Sequence, residues 1–279
     1  MEPSSELTPD QRDQVCALVA EAEAIDGTAG LNEEARLQLG RPGATHWLAE
    51  DADTVVAYAQ WQDANRSAQL VVHPDHRRHG LGTALLDAVR AAHPGAAVWA
   101  FGDSAAAQAF ADARGLAPTR SLLILERPLT DARPVRAPDG VTLRGFTDAD
   151  ADAFLATNAA AFADHPEQGH FSAADLAARQ GEDWWDPEGL LLAEDAEGLA
   201  GFHWTKRHDA ATGEVYVLGV HPRAAGRGLG RVLLDAGLAH LLAGGATRVL
   251  LYVDAANTTA VGLYERGGFT VGHADTLYA

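Results

Sequence analysis

Leu218-Gly219-Val220-His221-Pro222 leads into a glycine-rich run, Ala225-Gly226-Arg227-Gly228-Leu229-Gly230, and then into the apolar segment Val232-Leu233-Leu234-Asp235-Ala236. The same arrangement occurs over residues 70–88, at a constant offset of 148 residues (Leu70 to Leu218). In both places a strand pattern that ends in His-Pro precedes a glycine turn and an amphipathic helix pattern. Two such segments at matched positions predict an internal repeat, and therefore two domains of one fold.

A strand, a basic glycine loop and a helix together form a structure that is suited to binding phosphate. Glycines let the backbone approach an anion closely and point successive N–H groups toward it, and the helix N-terminus adds partial positive charge. A dinucleotide-binding fold requires Gly-x-Gly-x-x-Gly directly after its first strand, and a Walker loop requires Gly-Lys-Ser/Thr; this sequence has neither pattern. We therefore expect each copy to bind a phosphate-bearing ligand of another kind.

The predicted boundary between the two copies lies from Arg127-Pro128 to Asp139-Gly140, where three prolines and a glycine interrupt the periodicity. The sequence thus predicts an N-terminal domain over 1–134 and a C-terminal domain over 141–279. Each copy has the pattern of helix, strands, glycine loop, helix, strand, helix and strand, which indicates a mixed α/β fold with an open sheet.

In the second copy the periodicity predicts individual elements. The predicted helices are 149–162, 229–243 and 257–266, and the predicted strands are 190–193, 201–206, 214–220 and 249–253.

The charge of the chain excludes some classes of partner. It has 39 acidic and 21 basic residues and a formal net charge of −18. Such a negative field repels nucleic acids and anionic membrane surfaces but tolerates small amine-bearing substrates. We expect no nucleic-acid or membrane partner.

Cysteine content and the N-terminus predict the cellular compartment. A single cysteine, Cys16, cannot form an intramolecular disulfide, and we expect it to be buried in an apolar helix face. The first residues lack the basic and apolar regions of a signal peptide, and no stretch approaches the roughly 20 apolar residues that span a bilayer. We expect a cytoplasmic monomer.

The glycine loops resemble the signature of the GNAT superfamily of N-acetyltransferases, Gln/Arg-x-x-Gly-x-Gly/Ala. The run 77–82 fits it fully, whereas 225–230 departs at Ala225, where the signature has Gln or Arg. In that superfamily the loop binds the pyrophosphate of acetyl-CoA, and the preceding strand pairs with the pantetheine arm. The implied acetyl-CoA contacts are Leu70, Val71, Val72, Arg78, His79, Gly80, Leu81, Gly82 and Thr83 in the first copy, and Leu218, Gly219, Val220, Ala225, Gly226, Arg227, Gly228, Leu229, Gly230, Arg231, Asn257, Thr258, Thr259, Ala260, Val261 and Gly262 in the second.

A closer resemblance extends over essentially the whole chain. Residues 158–169, 201–206, 213–220 and 251–254 look like those of the mycothiol synthases, a tandem GNAT family. The resemblance implies two domains, each with a mixed, mostly antiparallel sheet flanked by helices. It also implies acetyl transfer from acetyl-CoA to the cysteinyl amine of Cys-GlcN-inositol. The substrate-binding residues that it implies are Glu33 (or its neighbour Glu34), Glu167, Lys206, Glu214 and Tyr252.

Acetyl transfer to an amine requires a base for the amine and an acid for the leaving thiolate. Glu214 begins the strand that leads into the second loop, and we expect it to be the base. Tyr264 lies seven residues after Asn257, about two helical turns, which places both on one face of the predicted helix. Tyr264 is the expected acid. The alternatives are a solubilising glutamate at a strand edge and a tyrosine of the core.

The repeat gives an internal control for these two assignments. The first copy has Arg66 opposite Glu214, Ala111 opposite Tyr264 and Ser104 opposite Asn257. It keeps the phosphate loop but lacks both proton-transfer groups. We expect it to bind acetyl-CoA without catalysing transfer.

Three histidines of the first loop, His73, His76 and His79, recur at every third position. We expect no metal there, because no carboxylate or cysteine completes a usual ligand set in the sequence pattern. The only cofactor that we expect is acetyl-CoA, as a co-substrate. Two other functions stay open: a tandem acetyltransferase for another amine, such as an aminoglycoside or a protein N-terminus, and a non-catalytic acyl-CoA sensor.

Overall fold

The computed structural model describes residues 1–163, 165 and 168–279. The contacts between residues divide the chain into two compact units. Unit 1 contains Met1–Leu122 together with His273–Ala279, and unit 2 contains Leu123–Gly272.

The helices and strands follow the coarse order that each copy predicts. The helices are α1 (Pro9–Asp26), α2 (Glu33–Leu37), α3 (Leu81–Ala92), α4 (Ala105–Ala113), α5 (Ala151–Ala161), α6 (Ala173–Gln180), α7 (Leu229–Ala243) and α8 (Thr258–Arg266). The strands are β1 (Ala44–Asp51), β2 (Thr54–Gln62), β3 (Ser67–Val72), β4 (Ala97–Ala100), β5 (Pro118–Pro128), β6 (Thr142–Arg144), β7 (Leu190–Asp195), β8 (Gly198–Arg207), β9 (Thr212–Val220), β10 (Arg248–Asp254) and β11 (Thr270–Tyr278).

In unit 1 the strand order is β1-β2-β3-β4-β11. The pairs β1–β2, β2–β3 and β4–β11 are antiparallel, and β3–β4 is parallel. The end of β11 belongs to this unit because Thr276 pairs with Ala100 and Tyr278 with Val98. The C-terminal residues thus complete the sheet of unit 1, although the sequence pattern groups them with the range 141–279.

In unit 2 the strand order is β5-β10-β9-β8-β7-β6. The pairs β6–β7, β7–β8 and β8–β9 are antiparallel, whereas β9–β10 is parallel. Both units therefore contain the mixed, mostly antiparallel sheet with flanking helices that the sequence predicts.

Helix α7 forms where its sequence predicts it. Gly228 precedes it in the left-handed region, at φ +78°, and Gly244 follows its last residue. Leu233, Leu234 and Leu241 are buried along one side of the helix. The predicted range 229–243 is confirmed.

The sheet of unit 2 is covered by apolar clusters on both faces. On the face of α7 and α8, Val215 packs with Leu238 and Leu251. On the other face, Phe202 and Trp204 pack with Phe154 of α5. Because successive side chains of a strand point to opposite faces, Glu214 and its neighbour Val215 in β9 belong to different faces.

The predicted burial of Cys16 is wrong. Helix α1 directs Val15, Leu18 and Val19 to the core, and Cys16 follows Val15 by one step around the helix, so it is exposed. Within the described residues, no helix combines the length and the apolar composition needed to cross a membrane.

Candidate active site

Strands β9 and β10 lie side by side for only part of their length. Their parallel ladder joins Thr212 with Arg248 and ends where Glu214 pairs with Leu250. Strand β9 continues to Val220 and β10 to Asp254, and the structure describes every residue of both strands. Past Glu214 the strands therefore part, and an opening forms between them.

The loop between β9 and α7 has a backbone conformation that favours glycine. Gly226 and Gly228 have φ angles of +77° and +78°, in the left-handed region. A Cβ at either position would meet no atom within 4 Å, so the backbone conformation, not crowding, calls for glycine. Helix α7 begins directly after the loop without a side-chain cap. A turn of this shape before an uncapped helix N-terminus is suited to binding an anion.

Glu214 lies at the point where the strands part. Its side chain is only 6% exposed, and its Oε2 is 2.7 Å from Nε2 of His208. Because a carboxylate can only accept, Nε2–H of His208 donates this hydrogen bond. In the part of the chain that the structure describes, Oε1 receives no hydrogen bond.

Tyr264 lies on α8 and is buried. It packs with Leu251 and Phe269, and its ring centroid is 5.9 Å from that of Phe269. Burial raises the pKa of the Tyr264 hydroxyl, so the phenol is a weaker acid than an exposed tyrosine. Asn257 has a local role, since its Oδ1 accepts a hydrogen bond from N–H of Ala260 (3.1 Å) and caps α8.

Glu214 and Tyr264 belong to opposite faces of the sheet. Tyr264 packs in the cluster that contains Val215, whereas Glu214, one position earlier, points to the other face. Side chains on opposite faces can reach one bound atom only through a gap in the sheet. The opening between β9 and β10 is such a gap.

Comparison with known proteins assigns the chain to a family. The model of the Acetyltransferase (GNAT) family matches residues 157–269, and that of the Acetyltransferase (GNAT) domain matches residues 42–115. A mycothiol acetyltransferase of Thermomonospora curvata is 49% identical, over 99% of this chain and 95% of that one. Another, of Streptomyces scabiei, is 46% identical, over 100% of this chain and 94% of that one. The chain belongs to the mycothiol acetyltransferase family.

A solved structure also has this fold. A tandem GNAT protein from the clavulanic acid biosynthesis pathway superposes with a TM-score of 0.73 at 19% identity, over 99% of this chain and 96% of that one. At such low identity the similarity shows the fold alone. The predicted α/β fold with two tandem GNAT domains is confirmed, and this member of the mycothiol acetyltransferase family is an acetyl-CoA-dependent N-acetyltransferase.

Lys206, one of the residues expected to bind substrate in this family member, lies in an aromatic setting. It pairs with Glu214 across β8 and β9, so both side chains are on one face. Its Nζ lies 4.7 Å from the ring centroid of Trp184 and 5.3 Å from that of Tyr216, distances typical of cation–π contacts.

Tyr216 reaches this position through a β-bulge. Trp204 pairs with Val217 and Thr205 with Val215, which leaves Tyr216 as an extra residue in β9. The sequence analysis missed Trp184, Tyr216 and His208. Only His208 had a sequence signal, since it stands just before the hairpin turn, six residues from Glu214.

The other expected substrate residues belong to both units. Tyr252 lies on β10 beside the opening and is 46% exposed. Glu33 and Glu34 are half-buried at the start of α2 in unit 1. Glu167 lies outside the described residues.

At the second glycine loop of this chain, two arginine side chains contact the carboxylate of Asp195. Arg223 lies 3.0 Å from it, and Arg227 also reaches it. Hydrogen bonds from these guanidinium groups hold the pKa of the Asp195 carboxyl well below its usual range. Arg231 pairs instead with Asp235, at 2.9 Å. Carboxylates of the chain thus compensate the basic side chains of this loop, and the backbone supplies the anion-binding geometry.

The first loop has a similar backbone. Gly80 precedes α3 at φ +86°, and Arg78, in the place of Gly226, has φ +67°. Arg77 forms two hydrogen bonds with the carboxylate of Asp26, each of 2.7 Å. Parallel pairing of β3 with β4 also ends early, at Ala68, although β3 runs to Val72.

In unit 1, the residues at the positions that match Glu214 and Tyr264 cannot serve in their proposed roles. Arg66 is in the turn before β3 with φ +48°, and Ala111 is a buried residue of α4. Ser104 caps α4 by accepting from Ala107 at 3.2 Å, as Asn257 caps α8.

The histidines of the first loop contact carboxylates one at a time. His73 lies 2.7 Å from Glu21, and His76 lies 3.4 Å from Asp51. Among the described residues, no group of three histidine, cysteine or acidic side chains is arranged to hold a metal ion.

Proposed function

We propose that this chain transfers the acetyl group of acetyl-CoA to the cysteinyl amine of Cys-GlcN-inositol, the last step of mycothiol biosynthesis. The observation that carries the proposal is its full-length similarity to proteins named mycothiol acetyltransferase. The opening between β9 and β10 also supports the proposal, because Glu214 at its edge is placed to act as a base.

The second loop fits the diphosphate of acetyl-CoA. Its left-handed glycines and the uncapped start of α7 are features that an anion requires, and neither needs a charged side chain. Bound acetyl-CoA supplies an activated acetyl thioester. In this proposal the backbone of Leu218–Val220 holds the pantetheine arm, residues 225–231 hold the diphosphate, and residues 257–262 line the thioester end.

Glu214 is the general base of the proposed reaction. Its free Oε1 accepts the proton that the amine loses as nitrogen bonds to the acetyl carbon. An α-amino group titrates near pH 8, so only a fraction of it must be deprotonated and a carboxylate is a sufficient base. The opening brings the amine to Oε1 from the face that also carries Lys206.

Tyr264 is the proposed acid for the coenzyme A sulfur. Its hydroxyl is protonated at neutral pH, as a tyrosine that titrates near pH 10 already is. It can therefore donate a hydrogen bond, and then its proton, to the sulfur that leaves the acetyl group. A thiolate leaves without much help, so we assign Tyr264 a smaller share of the rate than Glu214.

Polar side chains bind the amine substrate in this proposal. In unit 2, Lys206 and Tyr252 donate to hydroxyl groups of the pseudodisaccharide, and Glu167, which lies outside the described residues, accepts from them. Unit 1 binds acetyl-CoA through its own glycine loop but does not catalyse transfer, because Arg66 and Ala111 replace the two proton-transfer groups.

The test is a measurement of coenzyme A release by the purified chain with acetyl-CoA and a panel of amines. The panel contains Cys-GlcN-inositol, an aminoglycoside and a peptide with a free N-terminus, and mass spectrometry identifies each product. We expect rapid N-acetylation of Cys-GlcN-inositol alone. Preference for another amine would replace the proposed substrate, and acetyl-CoA binding without turnover of any amine would identify a sensor.

A further inference from the structure

We infer that His208 is a positioning residue for acetyl transfer, which holds Oε2 of Glu214 and so presents Oε1 to the amine. The inference rests on the proposed role of Glu214. The contact is short, at 2.7 Å, and links a nearly buried carboxylate to a histidine whose side chain is 36% exposed.

The turn between β8 and β9 fixes the backbone of His208. N–H of His208 donates to the carbonyl of Thr212 at 3.0 Å. Oδ1 of Asp209 accepts from N–H of Ala211 at 2.7 Å and from N–H of Thr212 at 2.8 Å. These bonds lower the pKa of the Asp209 carboxyl, which keeps it ionised as an acceptor. The imidazole thus projects toward Glu214 from a hydrogen-bonded turn, as preorganisation requires.

Another carboxylate of unit 2, Asp150, shows how the number of hydrogen-bond donors affects the basicity of a carboxylate. Arg144 holds both oxygens of Asp150, at 2.6 and 2.7 Å. These hydrogen bonds hold the pKa of the Asp150 carboxyl well below its usual range, so Asp150 is a very weak base. From the described residues, Glu214 receives a single hydrogen bond, on Oε2, which fixes its orientation and leaves Oε1 able to accept a proton.

Lys206 is a second charged group on the same face of the sheet as Glu214. It is the cross-strand neighbour of Glu214, but the Lys206 ammonium lies over the rings of Trp184 and Tyr216. His208 is therefore the residue that sets the orientation of the base.

The experiment compares His208→Leu with His208→Gln, because the Gln amide can place an N–H near the position of Nε2. We expect His208→Leu to lower kcat by roughly 10- to 100-fold, the scale of a misplaced catalytic group, with the KM for acetyl-CoA unchanged. We expect His208→Gln to recover most of kcat. The matched control is His240→Leu, which removes a partly exposed histidine–carboxylate pair (His240 to Asp186, 2.9 Å) and should keep kcat within about two-fold.

Melting temperatures of all variants show whether each one is folded. Wild-type kcat in His208→Leu, or equal loss of kcat in folded His208→Gln and His208→Leu, would overturn the inference. Glu214→Gln, measured in parallel, distinguishes the proposed role of Glu214 as the base from that of His208 as its positioning residue. If Glu214→Gln is impaired while His208→Leu is not, positioning by His208 fails and the base stands. If Glu214→Gln keeps wild-type kcat, the proposed role of Glu214 fails instead.

Discussion

The two glycine loops of this chain share one backbone conformation but differ in the strands and side chains around them. Gly80 and Gly228 precede their helices at φ +86° and +78°, and Arg78 and Gly226 have φ +67° and +77°. The backbone that suits a phosphate thus recurs in both units, even where an arginine must adopt the left-handed conformation.

The strands beside the loops differ between the units. The ladder between β2 and β3 is regular, whereas β9 has a bulge at Tyr216 opposite β8. Only the strand of unit 2 carries a buried carboxylate at its parting point. In the proposed mechanism, anion binding and proton transfer are therefore separable parts of this fold, because the first would use backbone N–H groups and the second two side chains.

The change with the largest expected effect is at the base. We expect Glu214→Gln to lower kcat/KM by about 10²- to 10⁴-fold, the range for a lost proton-transfer group. Arg66→Ala, at the matching position of unit 1, should change kcat/KM by less than about two-fold. Initial rates of coenzyme A release measure both. Equal losses in the two variants would contradict the assignment of catalysis to unit 2.

Acidic substitutions in the two glycine loops test whether acetyl-CoA bound in unit 2, and not in unit 1, is used for acetyl transfer. Gly228→Asp with Gly230→Asp places two carboxylates where the diphosphate binds, and repulsion of about 4 kcal/mol for one such pair predicts a loss of roughly 10²- to 10³-fold in kcat/KM. The matched double variant, Gly80→Asp with Gly82→Asp, should retain most of the turnover. Calorimetry should show that each double variant loses one of two acetyl-CoA sites. If the unit 1 variant is as inactive as the other, the first copy is not silent.

Replacement of the proposed acid has an intermediate effect. We expect Tyr264→Phe to lower kcat by about 10-fold, since a thiolate is a good leaving group and needs little proton donation. Tyr58→Phe is the control, because Tyr58 is a buried tyrosine of unit 1 whose hydroxyl lies 2.6 Å from Nδ1 of His46. That variant should lose stability and keep kcat. A kcat for Tyr264→Phe equal to that of the wild type would assign Tyr264 to the core alone.

The repeat and the helix pattern made much of this fold predictable. The 148-residue offset located both loops, and the leucine spacing located α7 to the residue, because local spacing determines both features. The end of β11 was not predictable in the same way. Its pairing with β4 depends on a contact between residues far apart in the sequence, which no local pattern records.

The candidate site was predictable only in part. Glu214 and Tyr264 could be proposed as catalytic groups by comparing the two copies, since each copy serves as a reference for the other; both assignments stay predictions. The bulge at Tyr216 could not be found, because one extra residue in a strand leaves the apolar pattern almost unchanged. His208 and Trp184 come close to the site through the hairpin and through packing, and neither stands in a recognisable motif.

The smallest expected effect is on stability and concerns the C-terminal strand. The hydroxyl of Tyr278 donates to Oδ1 of Asp103 at 2.7 Å, within unit 1. Tyr278→Phe should lower the free energy of unfolding by about 1–2 kcal/mol, as expected for a hydrogen bond to a charged acceptor, without changing kcat. Urea unfolding and the coenzyme A release assay measure the two quantities. A lower kcat with unchanged stability would mean that Tyr278 acts in catalysis.

The pH dependence of the stability difference gives a further test, because only the wild type carries a hydroxyl at position 278 that can ionise. Burial, with a smaller contribution from the hydrogen bond to Asp103, raises the pKa of Tyr278 to about 12. A tyrosine in an unfolded chain titrates near pH 10. The stabilisation is therefore complete below about pH 10 and is lost as the pH rises toward 12, since ionisation then favours the unfolded chain. Wild type should be more stable than Tyr278→Phe at neutral pH, and this advantage should shrink through the window. A constant difference would mean that the pKa of Tyr278 is the same in the folded and the unfolded chain.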